Sequence, residues 1–282
     1  MAMRFGITAR PDLPEAVSLA GEVAAYLRGR GFPPMVDETI AKALGKDLDS
    51  APLDEMKMDI LVVVGGDGTI LRAFQHTAAP VFSINMGALG FLTEVQPEEW
   101  RPSVGRLLEG RYIVDERVKL ETWIEGERQP DAVNEAVVHT TQISKMRCFD
   151  VRVDGDRAFT FRADGLIVAT PTGSTCYAMS VGSPIVDPRA HAAIIVPIAP
   201  FKLTARPLVV SDTSTVEVSL LEDKDALLVL DGQIKREIGA GSTLRFLLSD
   251  RVARFIRFDI DFYARFRRKL ARLMTTEEET AP

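Results

Sequence analysis

The sequence predicts an α/β N-terminal domain with a parallel, Rossmann-like sheet, followed by an all-β, sandwich-like C-terminal domain. Three observations point there. Strand-like and helix-like patterns alternate over the first hundred residues, the rhythm of a doubly wound sheet. Short β-branched segments divided by turns begin at about residue 110, the pattern of an antiparallel sandwich. Two glycine-bearing loops, residues 65–69 and 85–92, each follow an apolar run, and open α/β sheets bind ligands at such strand C-termini. The predicted division is 1–105 for the first domain, with 258–282 returning to pack on it, and 106–257 for the second.

The elements follow in order. Residues 5–8 form a short first strand. Over 14–28, Ala16, Val17, Ala20, Val23, Ala24 and Leu27 recur at helical spacing, and Gly31 is the stop. Residues 59–64 make a central strand covered on both faces. The turn Gly65-Gly66-Asp67-Gly68-Thr69 leads from it into a short helix over 70–77. A strand over 80–84 ends in Asn85-Met86-Gly87-Ala88-Leu89-Gly90-Phe91-Leu92. In the second domain, 112–124, 132–140, 147–153, 166–169, 193–198, 215–220 and 226–230 read as strands. Phe262, Phe266 and Leu270 lie four apart on a closing helix whose other face carries Arg265, Arg267, Arg268, Lys269 and Arg272. A packed helix with a solvated basic face accounts for that pattern, and the polar tail 275–282 is expected to fray.

With 282 residues, 46% hydrophobic and 26% charged, the chain has the composition of a soluble globular protein and room for two ordinary domains. A net charge of −6 argues against nucleic acid as the main partner, because phosphate backbones attract basic surfaces. No apolar run approaches the ~20 residues of a membrane span, and the N-terminus lacks the apolar core of a signal peptide. Cys148 and Cys176 are too few for a disulfide framework and lack metal-site spacing. A cytoplasmic location is expected.

Four motifs carry the chemistry. Glycine at 65, 66 and 68 lets the first turn adopt left-handed angles and approach a ligand closely. Its N–H groups, leading into a helix, form a phosphate cradle from Gly65, Gly66, Gly68 and Thr69. Asp67 repels phosphate, so its presence calls for a magnesium ion or a hydroxyl proton to handle. The turn is neither a dinucleotide fingerprint nor a P-loop, and the kinase H-R-D loop is absent. The second motif runs from Asp164 to Tyr177. A strand ends in a loop bearing Thr170, Thr172, Ser174 and Thr175, and a helix follows that Ser174 or Thr175 caps. Such hydroxyls suit ribose or phosphate. Asn134-Glu135 taken alone reads as a strand edge, and Asp231-Gly232-Gln233 taken alone as a hairpin turn.

Together, and in this order, these motifs with Pro197-Ile198-Ala199-Pro200 resemble the NAD kinases, of the bacterial type. The resemblance extends over residues 59–233. The Gly-Gly-Asp-Gly-Thr turn is shared with lipid kinases of the diacylglycerol and sphingosine kinase type; residues 170–177 single out the NAD kinases. The resemblance implies transfer of the ATP γ-phosphoryl group to the adenosine 2′-hydroxyl of NAD, giving NADP, with Mg2+ as the divalent metal. Some relatives also use inorganic polyphosphate as donor. It implies Asp67 as general base, with Gly68 beside it. Asn134, Glu135, Phe91 and Thr175 are then expected around the adenosine half, and Asp164, Tyr177 and Ser180 around the other nucleoside. Arg72, Lys145, Arg162, Thr172, Cys176, Ala199 and Gln233 complete the expected NAD contacts. The site is expected in a cleft between domains, completed by a neighbouring subunit of a homodimer or homotetramer. Cys176 stands where the family usually has alanine, Phe201-Lys202 where many bacterial relatives have His-Ser, and Ala205 where Asn is common. The alternatives are a soluble lipid kinase, which needs an apolar acceptor groove, and a non-catalytic NAD- or ATP-sensing module, which has no use for an intact Asp67.

Overall fold

The computed structural model describes residues 3–45, 48–87, 90–142, 145–202, 204–222, 225–259, 261–267 and 270–271. The chain divides into two units, Met1–Glu116 with Arg254–Pro282, and Arg117–Ala253.

In the first unit, β1 (Phe5–Ala9), β2 (Met35–Asp37), β3 (Ser50–Ala51), β4 (Ile60–Val64) and β5 (Val81–Ile84) form a parallel sheet. Their order is β5-β4-β1-β2-β3. Phe5 through Ala9 pair with Ile60 through Val64, and Leu61 through Val64 with Val81 through Ile84. The chain leaves β1 toward β2 and returns on the other side at β4. The gap between β1 and β4 is therefore the topological switch point, where doubly wound sheets take ligands beyond the strand C-termini. Every residue of β1 and β4 is buried, which is why both segments are apolar nearly without interruption.

Helices α1 (Pro14–Gly29), α2 (Glu38–Leu44), α3 (Asp67–His76) and α4 (Trp100–Leu108) belong to the same unit. Pro14 opens α1, where its missing N–H costs nothing. Ala16, Val17, Ala20, Val23, Ala24 and Leu27 form its buried stripe, packed with Phe5, Ile7, Val62, Val64, Phe82 and Ile84. The chain turns at Gly31, whose φ of +86° disfavours any residue with a Cβ. Helix α3 begins at Asp67 rather than at residue 70. Gly66 takes the N-cap position and its carbonyl accepts the N–H groups of Thr69 and Ile70, so the Asp-Gly-Thr of the turn is the first helical turn.

The second unit holds two antiparallel sheets. One contains β8 (Glu135–Thr140), β11 (Gly165–Ala169), β12 (Ala192–Ile198), β13 (Leu208–Ser211), β15 (Ala226–Leu230) and β16 (Ile234–Ile238), in the order β13-β12-β11-β8-β15-β16. The other contains β9 (Arg147–Val153), β10 (Asp156–Ala163), β14 (Val216–Leu220) and β17 (Thr243–Arg257), with β6 (Ile113–Ile124) beside β17 and β7 (Glu127–Arg128) beside β6. Val138, Leu166, Val168 and Leu228 from the first sheet share a core with Phe149, Val151, Val218 and Phe246 from the second. That shared core makes the unit a sandwich. A four-residue helix, α5 (Tyr177–Ser180), follows β11.

Strands β6 and β17 carry the chain across the unit boundary, and Phe255 near the end of β17 pairs with Val81 of β5. The closing helix occupies 262–267 and 270–271 of the described residues, with the rings of Phe262 and Phe266 stacked 6.0 Å apart. Arg268, Lys269 and Arg272 of its expected basic face, and the tail 275–282, lie outside the described residues. Among the described residues no helix is long and apolar enough to cross a membrane.

Candidate functional site

Strand β4 delivers the glycine turn to the C-terminal edge of the parallel sheet, at the switch point. A Cβ on Gly65 would stand 2.4 Å from Thr69 Oγ1, so only glycine fits there. None of Gly65, Gly66 and Gly68 has a positive φ. The expectation of left-handed angles is corrected: Gly65 gives clearance, and none of the three supplies an unusual dihedral. Asp67 is the first residue of α3, where a helix leaves N–H groups without partners and favours negative charge. Its carboxylate is held by the loop after β5. Phe91 N donates to Oδ2 at 2.6 Å and Leu92 N to Oδ1 at 3.0 Å. A Cβ on Gly90 would come within 1.9 Å of Oδ1. Ala88 and Leu89 of this loop lie outside the described residues.

Arg72, one turn further along α3, is not a loose positive charge. Its Nη2 donates to Thr8 Oγ1 at 2.9 Å and to Asp37 Oδ2 at 3.1 Å. Thr8 Oγ1 donates to the same oxygen at 2.5 Å. Asp37 is buried and also caps α2 through Thr39 N. Thr8 and Asp37 belong to the surroundings of the turn, and sequence reasoning missed both. The available signal was a threonine inside a strand that is otherwise apolar or small.

In the second unit, two groups of expected site residues stand at opposite ends of β11. At its C-terminal end Ala169 pairs with Glu135, Thr170 N donates to Asn134 O at 2.9 Å, and a Cβ on Gly173 would press 2.2 Å from that oxygen. The four hydroxyls do different work. Thr170 Oγ1 donates to Val133 O, Ser174 Oγ to Pro171 O, and Thr175 Oγ1 to Thr172 O. Ser174 and Thr175 therefore cap no helix. Residues 172–175 form a 3-10 turn, Cys176 is the N-cap residue of α5, and no side chain caps it. Thr172 Oγ1 is buried without a partner among the described residues, as are Asn134 Oδ1 and Glu135 Oε2. Buried polar atoms are nearly always paired, so three orphans at one strand end mark a place for a ligand.

Asp231 builds this place from behind. It sits in the turn between β15 and β16 at a φ of +51°. Its buried carboxylate accepts N–H groups from Val133 at 2.7 Å, Asn134 at 2.7 Å and Glu135 at 3.3 Å. Burial pushes the Asp231 carboxyl up to about 6, against the pull of those three N–H groups and the Lys119 ammonium. Burial, and then the charge of Asp231, push Glu135 up to about 8. Near neutral pH the acid with three donors is ionised and its neighbour keeps its proton. Gln233 lies exposed in the same turn, and Tyr177 is 41% exposed. Ser180 Oγ donates to Tyr177 O.

The second group surrounds the start of β11. Asp164 N donates to Ile198 O and Phe201 N to Arg162 O. The Arg162 guanidinium lies 3.6 Å from Glu222. Thr140 Oγ1 donates to Lys145 O at 2.8 Å, and the Lys145 side chain is exposed. Ala199 follows β12 at a φ of +44°. Residues 164 and 170 are separated by the whole of β11, about 20 Å at ~3.3 Å per residue. One chain does not bring Asp164 to Asn134, Glu135 and Thr172.

Comparison with known proteins extends this picture. Residues 5–112 match the family model described as ATP-NAD kinase N-terminal domain, and residues 133–258 that described as ATP-NAD kinase C-terminal domain. The NAD kinase of Pyrococcus abyssi is 44% identical over 269 residues, covering 94% of this chain and 97% of the relative. That of Thermococcus sibiricus is 41% identical over 272 residues, covering 95% and 99%. The crystal structure of an NAD kinase from Archaeoglobus fulgidus in complex with ATP superposes with a TM-score of 0.77 at 30% identity, over 95% of this chain and 98% of that one. Yeast NADH kinase complexed with NADH gives 0.87 at 24% identity, over 93% and 85%, a likeness of fold.

Proposed function

The chain belongs to the NAD kinase family, and from that premise we propose that it transfers the γ-phosphoryl group of ATP to the adenosine 2′-hydroxyl of NAD, with Asp67 as the general base. One observation carries the assignment to Asp67. A carboxylate stands in the turn that offers N–H groups to phosphate, and two backbone N–H groups fix its direction. A turn that only bound phosphate would gain nothing from it.

The reaction asks for alignment and charge neutralisation more than covalent chemistry. The 2′-oxygen attacks the γ-phosphorus, the bond to the bridging oxygen of ADP breaks, and the hydroxyl proton passes to Asp67. A carboxylate is a weak base for an alcohol. In a loose transition state the proton leaves late, once the oxygen is bonding to phosphorus, and a weak base suffices. Gly66 and Gly68 offer backbone N–H groups to phosphate oxygens at the start of α3, whereas the N–H of Gly65 donates to Ile84 O and that of Thr69 to Gly66 O, so these two shape the turn rather than hold phosphate. Asn134, Glu135, Thr172 and Thr175 take the adenosine half. The orphaned Asn134 Oδ1 and Thr172 Oγ1 supply acceptor and hydroxyl, and the protonated Glu135 supplies an O–H donor.

A divalent ion fits the site as part of the nucleotide. Magnesium commonly keeps its waters and the substrate phosphates as ligands, and among the described residues no cluster of three or more His, Cys, Asp or Glu side chains stands ready to hold a metal alone. When bound, it neutralises developing charge on the phosphates. The separation of the two residue groups along β11 favours a homo-oligomer in which a neighbouring copy contributes Asp164, Arg162, Lys145 and Ala199. A cytoplasmic location, where ATP and NAD are both at hand, accords with this reading.

The test is direct. Incubation with ATP, magnesium and NAD yields NADP; omission of ATP, chelation of the metal, or replacement of NAD by a diacylglycerol or sphingosine acceptor yields no phosphorylated product. Phosphorylation of the lipid instead of NAD would overturn the reading.

A further inference from the structure

Glu94 stands three residues beyond Phe91, and its side chain is only 3% exposed. Its carboxylate is the hub of a buried network in the first unit. Oε2 takes Arg257 Nη1 at 2.9 Å and Arg265 Nη2 at 2.5 Å, and Oε1 takes Phe258 N at 2.8 Å. Arg257 is itself buried, lies 3.7 Å from Asp115, and donates from the same Nη1 to Leu92 O at 2.9 Å. Arg265 also reaches Asp259 O. Leu92 is thus held at both ends. Its carbonyl is fixed by Arg257, and its N–H points at Asp67 Oδ1.

Two arginines on one buried carboxylate are a costly way to fasten the end of β17 and the helix that follows it. Apolar side chains of similar volume commonly do as well or better for stability. What such a network supplies is a single arrangement with defined directions. Here the direction matters at residues 91 and 92, because their N–H groups set the plane of the Asp67 carboxylate, and misplacement of a reacting group by about 1 Å can cost on the order of 10²-fold in rate.

We propose that Glu94, Arg257 and Arg265 are positioning residues for Asp67, acting through residues 91 and 92. The inference rests on the reading of Asp67 as the base. It assigns to the C-terminal segment of the chain a part in phosphoryl transfer.

The test is a double-mutant cycle on the full chain. Arg265 is the least buried member, at 17%, and Arg265→Ala leaves Glu94 its bonds to Arg257 and Phe258. In the wild-type background Arg265→Ala is expected to lower kcat by about tenfold or more, with KM for NAD and ATP changed less than about twofold. In the Asp67→Asn background it lowers the residual kcat by less than about twofold, because the group it orients is gone. Arg265→Lys, which keeps the charge, recovers part of kcat, and it serves in the same cycle if Arg265→Ala fails to fold. Unchanged kcat in the wild-type background, or an equal loss in both backgrounds, overturns the proposal. Near-wild-type turnover by Asp67→Asn alone overturns the reading of the base instead, whatever Arg265 does.

Discussion

A carboxylate earns a chemical role through its neighbours, and those of Asp67 come from more than twenty residues away: Gly90 by leaving room, Phe91 and Leu92 by their N–H groups. Glu135 and Asp231 make the complementary case. They are neighbouring buried acids with opposite protonation near neutral pH, one fixed by three N–H donors and the other left with an orphaned oxygen. The sign of the pH effect follows. Glu135 is raised from 4.5 to about 8 in the folded chain, so its contribution to stability is intact below its unfolded pKa and is lost as pH climbs toward 8. Glu135→Gln removes that loss. Between pH 7 and 8, above the midpoint near 6 at which Asp231 titrates, the nucleotide-free variant should gain stability relative to the parent by up to about 1.4 kcal/mol per pH unit. Denaturant melts at pH 7 and 8 measure it, and a difference that does not vary with pH contradicts the assignment. Asp67 and Glu135 were legible as candidates because their motifs are short and contiguous. Thr8, Asp37 and the internal role of Asp231 were not, because each acts on a strand or loop distant in sequence.

At the level of elements, what could be read from sequence was what one buried surface imposes. The stripe of α1 and the apolar runs of β1, β4 and β11 came through because a covered face or a doubly covered strand leaves little choice of residue. Helix α2 did not: it has one fully buried residue, Ile40, and so no stripe. Strand β17 mixes exposed and buried positions without strict alternation over fifteen residues, which hides its period. Helix α3 starts earlier than its sequence suggests, because glycine and aspartate are poor helix formers in an interior yet suit a first turn. The β15–β16 hairpin is more than a turn, since Asp231 fastens residues 133–135 from it. Asp231→Asn turns an amide NH2 toward a backbone N–H whichever way it faces. The expected outcome is a stability loss of about 1–3 kcal/mol, with NAD binding weakened at the same time. An unchanged denaturation midpoint would falsify the anchoring role.

At the scale of the molecule, the α/β and all-β architectures are both apparent from the change of texture near residue 110, and the fold likeness to solved NAD kinase and NADH kinase structures accords with them. The composition told less about assembly. The geometry of β11 tells more, because it separates Asp164 from Asn134, Glu135 and Thr172. If a neighbouring copy supplies Asp164, then Asp67→Asn and Asp164→Ala chains, each inactive alone, should recover roughly a quarter of wild-type activity when mixed and exchanged as dimers, since half the dimers are mixed and each has one intact site. No recovery after verified subunit exchange would assign Asp164 to the site of its own chain. The central claim is tested most directly by the turnover of Asp67→Asn, measured as NADP formed from NAD and ATP beside calorimetric binding of NAD. The expected result is NAD affinity near that of the parent and kcat lower by about 10²-fold or more. Turnover near that of the parent would contradict it and remove Asp67 from the reaction.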